Sequence, residues 1–125
     1  MRFTIPYPPT ANKIWRTVDG HVVLSAEGQA YRRRVKAALI DQAESLGFVA
    51  GVTKPATFDA KLDVTIGAYT PDARRRDVDN LLKPTLDALQ YAGAYRDDYQ
   101  IDRLEIVRRG IDRPAGRLEI SIEAT

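Results

Sequence analysis

The sequence predicts a single α/β or α+β domain: a mixed β-sheet with two main helices packed on it. Three observations carry that expectation. At 125 residues the chain has room for one core and no second lobe. From Phe58 to Ile66, apolar and polar residues alternate strictly, the period of a half-buried strand. Two further stretches, ending at Gly47 and Gly93, repeat apolar residues at three- and four-residue steps, as amphipathic helices do.

Taken in order, the proline-rich Ile5–Lys13 segment (IPYPPTANK) has few ladder donors and reads as an edge strand running into a loop. Val22-Val23-Leu24 is a candidate short strand. Ser25 is placed to cap a helix running to about Leu46, with Tyr31, Val35, Ala38, Leu39 and Leu46 on its inner stripe and Gln42 interrupting it. Gly47 closes that helix. In the Phe58–Ile66 strand, Phe58, Ala60, Leu62, Val64 and Ile66 share the buried face. A charged loop from Thr70 to Arg76 leads to a second helix from about Asp79 to Ala92, with a core stripe of Leu82, Leu86 and Leu89. Pro84 is tolerable only near the first turn, so the helix starts a few residues upstream. Strands at Leu104–Arg108 and Leu118–Ile122 complete the order β, helix, β, helix, β, β.

Composition excludes several chemistries. Without cysteine there is no disulfide framework, thiolate zinc site or cysteine nucleophile. The single histidine, His21, excludes any relay or metal site needing two, and reads as an exposed turn residue. The first residues carry no long apolar core and no stretch approaches 18 apolar residues, so a cytoplasmic protein without signal peptide or membrane span is expected. Arginine supplies 14 of the 19 basic residues, although the net charge is only +2. That skew fits bidentate phosphate or carboxylate recognition, and it also fits the codon usage of a GC-rich genome.

The segment Arg74-Arg75-Arg76-Asp77-Val78-Asp79-Asn80-Leu81-Leu82-Lys83 is the most informative. In extended backbone, carboxylates two apart point to the same side, and Lys83 follows Asp79 by one helical turn. Such a pair repels unless a cation or a shared proton intervenes. Hard oxygen ligands beside phosphate-binding arginines suit Mg²⁺. The same aspartates would also serve as helix caps among solvated loop charges. An EF-hand loop would need an oxygen ligand at Leu81 and glycine at Leu82, and no phosphate-binding GxxxxGK[ST] loop is present. A second acidic pair, Asp97-Asp98, lies in the connection after the second helix, where a simple turn is the alternative.

Together these segments resemble the RusA family of Holliday-junction resolvases, small phage- and prophage-borne endonucleases. The resemblance lies in Arg74–Asn80 with Lys83 and Leu86-Asp87-Ala88-Leu89, and in Gly93 followed by Asp97-Asp98-Tyr99-Gln100. It extends to Pro6-Tyr7-Pro8-Pro9 with Asn12, to Leu24–Arg32, and to Gly116–Ile120, covering nearly the whole chain in order. It implies a RusA-like domain over residues 1–125 and a homodimeric, Mg²⁺-dependent nuclease (Mn²⁺ as substitute) that makes paired cuts in four-way DNA junctions. Carried across, Asp77, Asp79 and Asp98 would be catalytic, metal-binding carboxylates, Lys83 the catalytic or phosphate-contacting lysine, and Arg76 a DNA-binding residue. Pro84, directly after Lys83, departs from a confident match.

Other phosphate contacts are expected from Arg74, Arg75, Lys13 and Arg16, with Arg32-Arg33-Arg34 and Arg108-Arg109 as further candidates. The proline-rich segment, Trp15 and the first helix are candidates for a dimer interface or for ordinary packing. Two other functions compete: a junction-binding module without catalysis, and a Mg²⁺-dependent enzyme acting on nucleotides.

Overall fold

The computed structural model describes residues 1–125. Six strands and three helices follow in the order β1 (Arg2–Pro6), α1 (Ala11–Ile14), β2 (Trp15–Val18), β3 (His21–Leu24), α2 (Ala26–Gln42), β4 (Leu62–Thr70), α3 (Leu82–Ala92), β5 (Ile101–Ile111) and β6 (Arg117–Ala124). Short 3-10 turns at Val78–Leu81 and Asp98–Gln100 flank α3. Four strands form one sheet in the order β1-β6-β4-β5, and β2 and β3 form a separate hairpin. β1 and β4 both run antiparallel to β6, whereas β4 and β5 are parallel and joined through α3. This is the expected mixed sheet with two main helices.

The helices cover one face of the sheet. Ile5, Val64, Ile66, Leu118, Ile120 and Ile122 are buried against Tyr31, Val35 and Leu39 of α2 and Ala88 and Leu89 of α3. β1 is an edge strand as expected, but it runs Arg2–Pro6 with Pro6 its only proline, and Ala11–Ile14 of the following segment is a short helix; the open edge of β1 is blunted from within. The Gln42 amide donates to the Thr4 carbonyl (2.8 Å) and accepts from the Thr4 N–H (2.9 Å), imitating a neighbouring strand. The residue that breaks the apolar stripe of α2 thus satisfies backbone that would otherwise face water.

Ser25 caps α2 by accepting from the Gly28 N–H at 3.1 Å. Regular helix ends at Gln42 rather than Leu46. The chain continues in turns to Gly47 (φ +87°), where Phe48 donates back to the Ala43 carbonyl at 3.1 Å, the Schellman arrangement. Gly93 (φ +88°) ends α3 in the same way, with Ala94 donating to Leu89.

Three expectations need correction. β4 begins at Leu62, not Phe58, and runs on to Thr70. The carbonyls of Phe58 and Ala60 are held by the Gln100 side chain (3.0 and 2.7 Å) and Phe58 also accepts from Arg96, so they join no ladder. The second helix begins as a 3-10 turn, and α3 proper starts at Leu82. That tighter turn rotates the inner face, so Leu81, Thr85, Ala88 and Leu89 are buried while Leu82 and Leu86 are half-buried. β2 was not anticipated. Its signal is Asp19-Gly20, whose φ values of +51° and +80° make a two-residue hairpin turn. Pro84 falls in the first turn of α3, where an amide donor is dispensable. No helix is long and apolar enough to cross a membrane.

Candidate active site

The first acidic segment hangs from a turn built on Asp72, just past the end of β4. The Asp72 carboxylate accepts from the Arg74 N–H (2.9 Å) and from both terminal nitrogens of Arg76 (2.5 and 3.2 Å). From β5, Arg108 donates to the Arg76 carbonyl at 2.5 Å. Side chain and carbonyl of the residue before Asp77 are therefore both held. The Arg76 hydrogen bond keeps the Asp72 carboxyl well below the usual carboxylate range, with Arg74 assisting. Burial pushes the nearby Tyr7 hydroxyl up, against the pull of Arg76 and Arg108.

Asp77 follows in extended conformation and opens the 3-10 turn that contains Asp79. Both carboxylates are exposed, and neither makes a hydrogen bond or ion pair with the protein. The neighbouring arginines do not neutralise them: Arg74 and Arg76 turn to Asp72 instead. Asp77 shares a cleft of about 310 Å³ with Lys13, Arg74, Arg76 and Asn80. Arg75 lies with Arg74 and Arg108 in an adjoining depression. Arg16 stands exposed on β2 and lines neither depression.

Along α3, Lys83 and Asp87 are one turn apart and Gln90 is nearly a further turn on. The Lys83 Nζ rests 4.6 Å from the centre of the Trp15 ring, a cation–π contact. Partial burial raises the Asp87 carboxyl; Lys83 opposes the shift and Asp98 adds to it. Gln90 Oε1 accepts from the Asp98 N–H at 3.2 Å, so this row leads from the first acidic segment towards the second.

That second segment is organised by a buried amide. Gln100 accepts the N–H groups of Arg96 (2.9 Å) and Asp97 (2.8 Å) while donating to Phe58 and Ala60. Asp97 completes a capping box by accepting from Tyr99 at 3.0 Å. Asp97 is thereby the turn residue, and Asp98 projects without a side-chain partner. Because β4 and β5 are parallel, pairing Leu62 with Ile101 and Thr70 with Ile111, the segment before β5 lies at the opposite end of the sheet from the loop after β4. The eleven residues of α3 separate Asp79 from the Gln90–Asp98 end by about 16 Å. Within one chain, no three His, Cys, Asp or Glu side chains gather into a metal-holding group.

The donor set nevertheless fits a hard cation. Asp77 and Asp79 offer exposed, unengaged carboxylate oxygens, and Mg²⁺ commonly takes only one or two protein carboxylates, filling its other positions with water and substrate phosphate. Sequence reasoning overlooked the roles of Asp72, Asp87 and Gln100. Each had a signal: Asp72 is four residues from Arg76, Asp87 four from Lys83, and Asp97-x-x-Gln100 is a capping-box spacing.

A family model described as Endodeoxyribonuclease RusA matches residues 6–123. The chain belongs to the RusA family. It is 40% identical over 121 residues to the crossover junction endodeoxyribonuclease rusA of Enterobacteria phage HK97, covering 97% of this chain and 92% of the relative. The protein of the same name from Enterobacteria phage 82 is 37% identical over 123 residues, covering 95% and 90%. Crossover junction endodeoxyribonuclease RusA of Escherichia coli (strain K12) is also 37% identical over 123 residues. The RusA match spans both acidic segments, α3 between them and the hairpin that carries Trp15.

Proposed function

We propose that this protein is a crossover junction endodeoxyribonuclease, a Mg²⁺-dependent hydrolase that resolves four-way DNA junctions in recombination and repair. The observation that carries the proposal is the state of Asp77, Asp79 and Asp98 in a RusA-family chain: three exposed carboxylates without protein partners, beside arginines held elsewhere.

Asp77 and Asp79 would hold the cation, with Asp98 as the third carboxylate of the catalytic set. When bound, Mg²⁺ supplies a water of lowered pKa and offsets charge at the phosphorus. Lys83 leaves the Trp15 ring to place its point charge on a phosphate oxygen or the leaving group. Arg74, Arg75, Lys13 and Arg16 hold the flanking phosphates, and Arg76 adds its charge from its position against Asp72. Two opposed strands cut symmetrically call for a two-fold arrangement of sites, met by a homodimer.

The test is a synthetic four-way junction incubated with purified protein and Mg²⁺. Paired cuts at symmetric positions are expected. Asp79→Asn should lower the cutting rate by about 100-fold or more, beyond the usual effect of losing an outer-shell partner, while junction binding persists. Tight binding with no cleavage under Mg²⁺ or Mn²⁺ would leave only a DNA-binding module.

A further inference from the structure

The face of the sheet away from the helices is polar, and the chemistry described above makes no use of it. A groove of about 420 Å³ opens on that face. Arg109, Thr65, Glu119, Ser121, Arg2 and Thr4 line it, so all four strands contribute.

Two local devices bring Arg109 there. Ala68 pairs with Arg108 and Tyr69 with Gly110, which leaves Arg109 as the extra residue of a β-bulge, and bulges re-aim side chains. Arg108 stays on the helix side, where it holds the Arg76 carbonyl. Arg109 turns to the other face and lies across β4 above Gly67, where a Cβ would overlap its Nε and Cδ. Glycine inside a strand gives up packing and often marks a close approach. Here the group that approaches is the Arg109 side chain, and Gly67 is buried beneath it.

The donors of the groove are unspent. Neither Arg109 nor Arg2 forms an ion pair, and the hydroxyls of Thr4, Thr65 and Ser121 bond no protein group. Glu119, the one acid in the lining, already accepts from Arg117 at 3.2 and 3.3 Å. The other acids of this face, Asp63, Glu105 and Glu123, lie outside the groove, and Arg103 engages Glu105. A cation would meet two guanidiniums here, and an apolar ligand would strip water from them without offering partners. Phosphodiesters match the lining: guanidinium forks take their free oxygens, and serine and threonine hydroxyls donate to the same groups. Consecutive residues of β5 thus hold the loop before Asp77 on one face and reach into this groove on the other. A DNA arm that leaves the candidate active site along the β5 edge meets both.

We propose that this groove is a second phosphate-binding surface, which holds the backbone of a junction arm away from the cut through Arg109 and Arg2. The inference rests on the junction-cleaving function above. Binding of a four-way junction is measured without Mg²⁺ over a range of salt for the wild type, Arg109→Ala and Gly67→Ala. Arg109→Ala, a change at an exposed residue, should weaken binding about 10-fold at low salt and lower the salt slope by about one. Gly67→Ala keeps every charge, but its Cβ displaces the Arg109 side chain, so it should weaken binding by about 3-fold or more. With Mg²⁺ and saturating junction, both variants should cut at the wild-type rate, because the groove touches no reacting group. If Gly67→Ala does not fold, Thr65→Val combined with Ser121→Ala also keeps every charge, and the same loss is expected. Wild-type affinity and salt slope in Arg109→Ala overturn the groove. So does a loss in Arg109→Ala that no charge-preserving variant shares, since the attraction is then diffuse. In both cases paired cutting by the wild type leaves the resolvase function standing. Failure of the wild type to bind or cut branched DNA overturns that function, and this surface with it.

Discussion

Asp72 lies outside both acidic segments, yet it determines how the first is presented. By engaging Arg76 it keeps a guanidinium from folding onto Asp77 or Asp79, so those carboxylates keep their oxygens free. Its own titration should be visible in stability. Its native pKa is depressed, so the stabilising contribution is present above the unfolded value of about 4 and is lost as pH falls through the native value. Thermal melts of the wild type and Asp72→Asn should differ at pH 7 and converge in acid. A gap that stays constant from pH 7 to 3 would mean that the charge is not the cause. Asp87 has the opposite sign. Its native pKa is raised, chiefly by burial, so the charged form disfavours the fold and stability declines as pH rises through that window. Asp87→Asn should therefore melt above the wild type at neutral pH, with the advantage gone below about pH 4. No such gain at pH 7 would sink this account.

At the scale of the element, one side chain holds the second acidic turn. Gln100→Ala would leave the Asp97 N–H and the Ala60 carbonyl without the partner that holds them, and the Arg96 N–H and the Phe58 carbonyl with only each other. Part of that backbone can recover water, so a loss of about 2–4 kcal/mol is expected in urea unfolding. Amide exchange should quicken first at Arg96 to Tyr99; protection unchanged there would contradict the role given to Gln100. The elements that were legible in the sequence are those whose own residues decide them. Ser25, the stripe through Tyr31, Val35 and Leu39, and the two stopping glycines mark α2 and α3 because capping and periodicity are local. Leu118, Ile120 and Ile122 likewise mark β6. The start of β4 was not legible, because Phe58 and Ala60 continue the alternation while their carbonyls bond a glutamine about 40 residues away. β2 was hidden because Trp15-Arg16-Thr17-Val18 has no clean alternation, and only Asp19-Gly20 announces the hairpin. In the site, the Asp77–Asp79 pair was readable as two carboxylates entering a helix, whereas their freedom from the neighbouring arginines, which turn to Asp72, and the location of Asp98 were not. That location depends on β4 and β5 being parallel, which is a property of the sheet and of no single segment.

At the scale of the whole molecule, the helices pack on one face of a four-stranded sheet, and α3 runs between the two acidic segments. A lone chain thus carries its third carboxylate beyond the opposite end of α3 from the other two. In the proposed dimer, Asp98 of one copy is free to serve the Asp77–Asp79 pair of the other. That arrangement predicts complementation. Asp77→Asn and Asp98→Asn chains, each inactive alone, should regain cutting when mixed and allowed to exchange, because one of the two centres in the mixed dimer then holds all three carboxylates. If the mixture stays as inactive as its components, Asp98 acts within its own chain. The length of one short helix then has a consequence for dosage. Scarce copies would be idle copies, and cutting per chain would climb with concentration until pairing is complete. Intact duplex would be spared by the same arithmetic, since a solitary molecule sliding along it never carries a finished blade.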